Sequence, residues 1–112
     1  MAFTTATVSK VERGVKQFGG VYSDMWSIAL TVDPSSIAAG AEDIATFTIP
    51  GVAIGDHVLS FSSGVNPTVD ADANVFVSAA NTLSIRLSNL NGASALDLAS
   101  STWKVVVARP AF

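Results

Sequence analysis

Short segments in which every second residue is apolar recur along the chain, and they set the first expectation for its fold. The clearest runs from Asn81 to Asn89, where Leu83, Ile85 and Leu87 share one face and Thr82, Ser84, Arg86 and Ser88 the other. A period of two marks a strand with one face in a core and one in solvent. Met25 to Val32 repeats it, with Trp26, Ile28, Leu30 and Val32 opposed to Ser27, Ala29 and Thr31. Asp43 to Ile49 sets Ala45, Phe47 and Ile49 against Ile44, Thr46 and Thr48. Asp56 to Ser62 places Leu59 and Phe61 inward, and Ala73 to Ser78 is short, β-branched and aromatic. Thr102 to Arg109 turns Trp103, Val105 and Val107 to one side.

Turn residues separate these runs. Asp33-Pro34 ends a strand, because proline has no N–H to give a ladder. Ile37 to Gly40 reads as a crossing loop; Pro50-Gly51, Gly55-Asp56, Asn66-Pro67 and Asn91-Gly92 read as turns. Gly55 is placed for a positive φ. Asn81 is placed for a left-handed residue whose side chain bonds its own backbone ahead of the Leu83 strand. Ala93 to Ser100 is the one stretch where a helical turn fits. The first 24 residues alternate weakly, through Phe3, Val8 and the threonines, and Gly14, Gly19 and Gly20 break the stretch before Met25. They predict an extended arm or edge strand, then a loop or hairpin. The expectation is an all-β chain: a single antiparallel, jelly-roll-like β-sandwich of about seven or eight strands. One domain covers residues 1–112, with 1–24 as an N-terminal arm or edge segment and 25–109 as the core module.

Composition changes this picture in one respect. Charged residues make up 13% of the chain, against about 25% in an average soluble domain. Hydrophobic residues make up 49%, and the mean hydropathy is +0.47. A domain of 112 residues has much surface for its volume and needs polar cover. Alanine accounts for part of the apolar excess; cover by partner subunits accounts for the rest. With no cysteine, the fold depends on packing, on association, or on both. The net charge of −3 and the small number of cations argue against a nucleic-acid partner. Lys10, Arg13 and Lys16 form the one basic cluster, and a solvated loop beside Glu12 explains it. The N-terminus lacks a basic region followed by an apolar run, and no stretch reaches the roughly 18 apolar residues of a membrane span. The chain is expected to be made in a cytoplasm, to stay out of the secretory route and to have no membrane partner.

The candidates for chemistry are few. His57 is the one histidine, on the same parity as Leu59 and Phe61. A partly buried edge histidine packed on apolar neighbours is the plainer reading; a metal ligand or pH sensor is the alternative. Asp70-Ala71-Asp72-Ala73-Asn74 opens like a calcium loop, but the sixth and twelfth places hold Val75 and Asn81 instead of Gly and Glu. A polar loop entering the next strand is the plainer account. The acidic pairs Glu42-Asp43 and Asp70/Asp72 sit at predicted strand edges, where solvation explains them. No Gly-x-Ser-x-Gly turn, phosphate loop or dinucleotide fingerprint is present. Trp26 and Trp103 lie on alternating strands among aliphatic neighbours, which favours core packing over sugar stacking. No catalytic, cofactor-binding or metal-ligating residue is therefore assigned, and the chain is not expected to be an enzyme.

A longer pattern remains. Asp33-Pro-Ser-Ser-Ile-Ala-Ala-Gly-Ala leads into Phe47-Thr-Ile-Pro-Gly-Val-Ala-Ile-Gly-Asp-His-Val. It is followed by Val77-Ser-Ala-Ala-Asn-Thr-Leu-Ser-Ile-Arg-Leu-Ser-Asn, and Leu96-Asp-Leu-Ala-Ser-Ser-Thr-Trp-Lys-Val closes the module. Over residues 25–109 this resembles a β-sandwich module of tailed-bacteriophage virion proteins, found in small head-decoration (cement) proteins and at the ends of tail fibres. The resemblance implies a homotrimer at local threefold axes of the head exterior. Its partners would be further copies of itself and the major capsid protein. Its location would be the capsid surface of the virion, after assembly in the bacterial host cytoplasm. The N-terminal segment lies outside the shared module and is expected to grip the capsid or a neighbour; Phe3, Val8, Phe18 and Tyr22 are its candidate interface residues. A tail-fibre module that binds a receptor or glycan is the alternative, and a small hydrolase or metal protein built around His57 is a third reading.

Overall fold

The computed structural model describes residues 5–15, 21–64 and 71–111. Among them lie seven strands: β1 (Thr5–Gly14), β2 (Tyr22–Asp33), β3 (Glu42–Thr48), β4 (His57–Ser62), β5 (Ala71–Ala79), β6 (Thr82–Asn89) and β7 (Ser101–Pro110). They form two antiparallel sheets, in the orders β1-β2-β7-β4 and β3-β6-β5. The pairing is nested. β2 pairs with β7, β3 pairs with β6 inside that pair, and β4 and β5 fall beside β7 and β6. This is the winding of a jelly roll, and the chain is a β-sandwich.

The alternation in the sequence translates directly into burial. Trp26, Ile28, Leu30 and Val32 of β2 and Trp103, Val105 and Val107 of β7 are buried against Ala45, Phe47, Val75, Leu83 and Ile85 of the other sheet. A smaller cluster of Ile37, Leu87 and Leu96 closes one end. The predicted turns are also in place. Gly51 and Gly55 take φ of 95° and 102°, and Asn81 takes the left-handed φ of 58°. Asn81 differs from expectation in its side-chain bond. Its Oδ1 accepts from the Gly51 N–H at 2.8 Å, tying the β5–β6 turn to the turn after β3.

Two expectations change, and one left open is decided. Of the two forms open to the N-terminal segment, residues 5–14 take the edge strand, paired along β2 with a bulge between Val8 and Lys10. Ala93 to Ser100 is not helical. Asn91 Oδ1 accepts from the N–H groups of Ala93 and Ser94, and Leu96 pairs with Ile37, so side-chain caps hold an irregular loop. On β4, a bulge between Val58 and Ser60 resets the alternation. Val58 and Phe61 stand opposite the inward residues Val107 and Val105, whereas Leu59 sits in the bulge and turns out. Leu59 and Phe61 stay 44% and 41% exposed, because β4 is an edge strand.

Candidate docking interface

One end of the sandwich is assembled around Trp26, a site the sequence does not announce. The indole is buried and donates from Nε1 to the Pro50 carbonyl at 3.1 Å. Two guanidinium groups lie over its ring, Arg13 at 4.8 Å and Arg109 at 5.3 Å from the centroid. The negative face of an indole favours a cation there. Each arginine is also fixed by a carboxylate. Arg13 donates to Asp24 Oδ2 from Nε at 3.0 Å and Nη2 at 2.6 Å. Arg109 makes a bidentate pair with Asp56, both bonds at 2.9 Å, and donates from Nη2 to the Gly51 carbonyl at 2.7 Å. Asp56 further accepts from the Ala53 N–H at 2.9 Å, so one buried carboxylate closes the loop after β3 and anchors β7.

These contacts set the electrostatics. Hydrogen bonds from Arg13 and then Ser23 hold the Asp24 carboxyl below its ordinary pKa. Hydrogen bonding to the Asp56 carboxylate raises the Arg109 pKa above its ordinary value. Gly51 is favoured by its positive φ, and a Cβ there would push on the Arg13 guanidinium, which would have to shift off its place over Trp26.

This frame holds an apolar tip. Val15 and Val21, on the β1–β2 connection, and Ile54, in the loop before β4, are 69%, 57% and 74% exposed at this same end. Of the candidate interface residues, Tyr22 is here, half-buried opposite Pro110, its ring edge-on to His57 at 6.4 Å and 83°. His57 is exposed, with Tyr22 as its aromatic neighbour. Val8 is exposed too, but it pairs with Leu30, eight residues along β2 from Tyr22 and so about 26 Å away. The fold does not bring these two residues together. Phe3 and Phe18 lie outside the described residues.

The remaining candidates lie elsewhere. Trp103 is buried like Trp26, with Phe61 stacked on it at 6.2 Å and 3°. Beside that pair a cleft of about 250 Å³ opens between the edges of the two sheets, lined by Phe61, Ala71, Ala73, Leu87 and Trp103 among others. Asp72 and Asn74 are on strand β5, two residues apart on its outer face, not in a loop that could wrap a cation; Asp70 lies outside the described residues. Among the described residues no three metal-ligating side chains converge.

Sequence reasoning missed the paired arginines. One signal was available: Arg109 continues the inward parity of Trp103, Val105 and Val107, and an inward-facing cation needs partners. Nothing local to Arg13 points to Trp26 or Gly51. No protein-family model, curated protein or solved structure matches the chain.

Proposed function

We propose that the chain is a structural subunit of a tailed-phage particle, a decoration protein that seats on the head exterior as a homotrimer. It binds the major capsid protein and holds neighbouring shell subunits together, without catalysing a reaction. The observation that carries this reading is the apolar tip of Val15, Val21 and Ile54 on a frame fixed by two arginine–carboxylate pairs. Exposed apolar side chains on a rigid support are what a docking surface needs, because little entropy is lost when they are covered. The resemblance adds support, since its turn residues Pro50-Gly51, Gly55 and Asn81 are corners of this fold. The tail-fibre reading called for an aromatic platform, and both tryptophans are buried. Repetition supplies the strength: many modest contacts on a symmetric shell resist its opening together.

Mass spectrometry of purified particles is expected to find the chain at a fixed ratio to the major capsid protein, and cross-linking on heads to yield a three-copy species. Ile54→Asp is expected to weaken binding to heads by about tenfold or more while leaving the circular dichroism unchanged. A chain absent from particles, or a variant that binds like the wild type, would count against the reading.

A further inference from the structure

The three-stranded sheet has two edges, and the hydrogen-bond phase decides what each offers. Asn89 N–H donates to the Ala41 carbonyl and Ile49 N–H to the Asn81 carbonyl, both in the β3–β6 register. Odd-numbered residues of β6 therefore face β3, and by antiparallel alternation Ser84, Arg86 and Ser88 turn their backbone groups to β5. Opposite them are Phe76, Asn74 and Asp72. The backbone N–H and C=O of Ala71, Ala73 and Val75 thus point away from β6, along an edge that no strand among the described residues pairs with. By the same phase Ile44 N–H points out along β3, and there the Asp43 carboxylate accepts from it at 3.0 Å. Among the described residues, no side chain makes such a bond to Ala73 or Val75. β5 has neither proline nor lysine, and its ladder is regular as far as Val77. Natural edges carry such devices to prevent pairing with another chain.

We propose that a second copy of this chain pairs with β5, antiparallel across a two-fold axis at Asn74. In that register Ala73 exchanges backbone bonds with Val75 of the other copy, the Asn74 amides face each other, and Asp72 stands opposite Phe76. The charges fit. The Arg86 guanidinium, ion-paired with Glu42 of its own copy at 3.6 Å, lies over the Phe76 ring at 5.2 Å, so Asp72 of one copy comes beside that cation of the other and directly opposes no like charge. The same contact draws cover over the half-exposed Phe61 at the rim of the cleft beside Ala71 and Ala73. An isologous contact of this kind closes on itself after two copies. It is separate from the apolar tip and does not depend on head binding.

Ala73→Pro removes one outward N–H and leaves the β5–β6 bonds intact, since proline is tolerated at an open edge. By sedimentation equilibrium the wild type is expected to have twice the mass of this variant, whether the remaining unit is a monomer or a trimer built through other contacts. Asn74→Asp is the second variant. It sits beside Arg86 in its own sheet, so the single copy stays folded, but it opposes two carboxylates on the axis. It is expected to raise the dissociation constant about tenfold or more, and it decides the matter if Ala73→Pro fails to fold. Equal mass for the wild type and the folded variants across the concentration series overturns the proposal.

Discussion

On one long side of the sandwich the edge strands are β1 and β3; on the other they are β4 and β5. The first side is defended. β1 carries Lys10, Glu12 and Arg13, and Asp43 of β3 folds its carboxylate back onto the edge. The second side has Leu59 and Phe61 exposed, an apolar cleft, and a run of backbone donors and acceptors on β5 to which no side chain among the described residues bonds. Both sides close the same core and both expose apolar side chains, Ile44 and Val8 on the first, but only on the second do these border an apolar cleft. The difference lies in a few side chains at edges rather than in the fold, which treats the two sides alike.

The largest effects expected from breaking this comparison are in the core beneath each side. Trp26→Ala and Trp103→Ala each remove a buried indole and should cost about 3–5 kcal/mol in urea unfolding. Trp26 is expected at the upper end, because its loss also leaves the Pro50 carbonyl without its donor and removes the ring beneath two guanidinium groups. Trp103 borders the cleft, where neighbours can relax into the space. An equal or larger cost at Trp103 would mean that the two sides are packed equally tightly.

A smaller effect is expected from removing the defence of β3. Asp43→Ala deletes the acceptor for Ile44 N–H and should cost about 1–3 kcal/mol. It should also add concentration-dependent association in sedimentation velocity. A variant that associates no more than the wild type would show that Asp43 does not guard the edge.

The smallest effect is electrostatic, at the pair that joins β1 to β2. Asp24 has its pKa lowered by Arg13 and Ser23. A carboxylate lowered in the folded state adds stability above its unfolded pKa and loses it as pH falls through the folded value. The stability difference between wild type and Asp24→Asn should therefore be flat from neutral pH down to about pH 5 and shrink below about pH 4. A difference that instead shrank on the alkaline side of neutrality would assign it to another group.

Much of the fold was legible because strand alternation is local. Trp26 to Val32, Ala45 to Ile49 and Leu83 to Leu87 state their inward faces in their own order, and each is buried accordingly. Gly51, Gly55 and Asn81 declare their turns by what they permit at positive φ. The candidate docking end was legible only at Tyr22. Val8, chosen on the same grounds, sits far along β2, because composition does not tell which end of a strand pair a residue occupies.

The sequence by itself therefore determined the class of the fold, most of its strands and the contents of its core, each set by the period of two along one strand. Tertiary structure alone decided the bulge that turns Leu59 out, the clamp of Arg13 and Arg109 on Trp26, and the contrast between β3, capped by Asp43, and β5, which has no such cap among the described residues. Those features depend on which strands become neighbours. An edge, a cation's partner or an unpaired N–H exists only relative to a strand distant in the chain, and no local pattern encodes it.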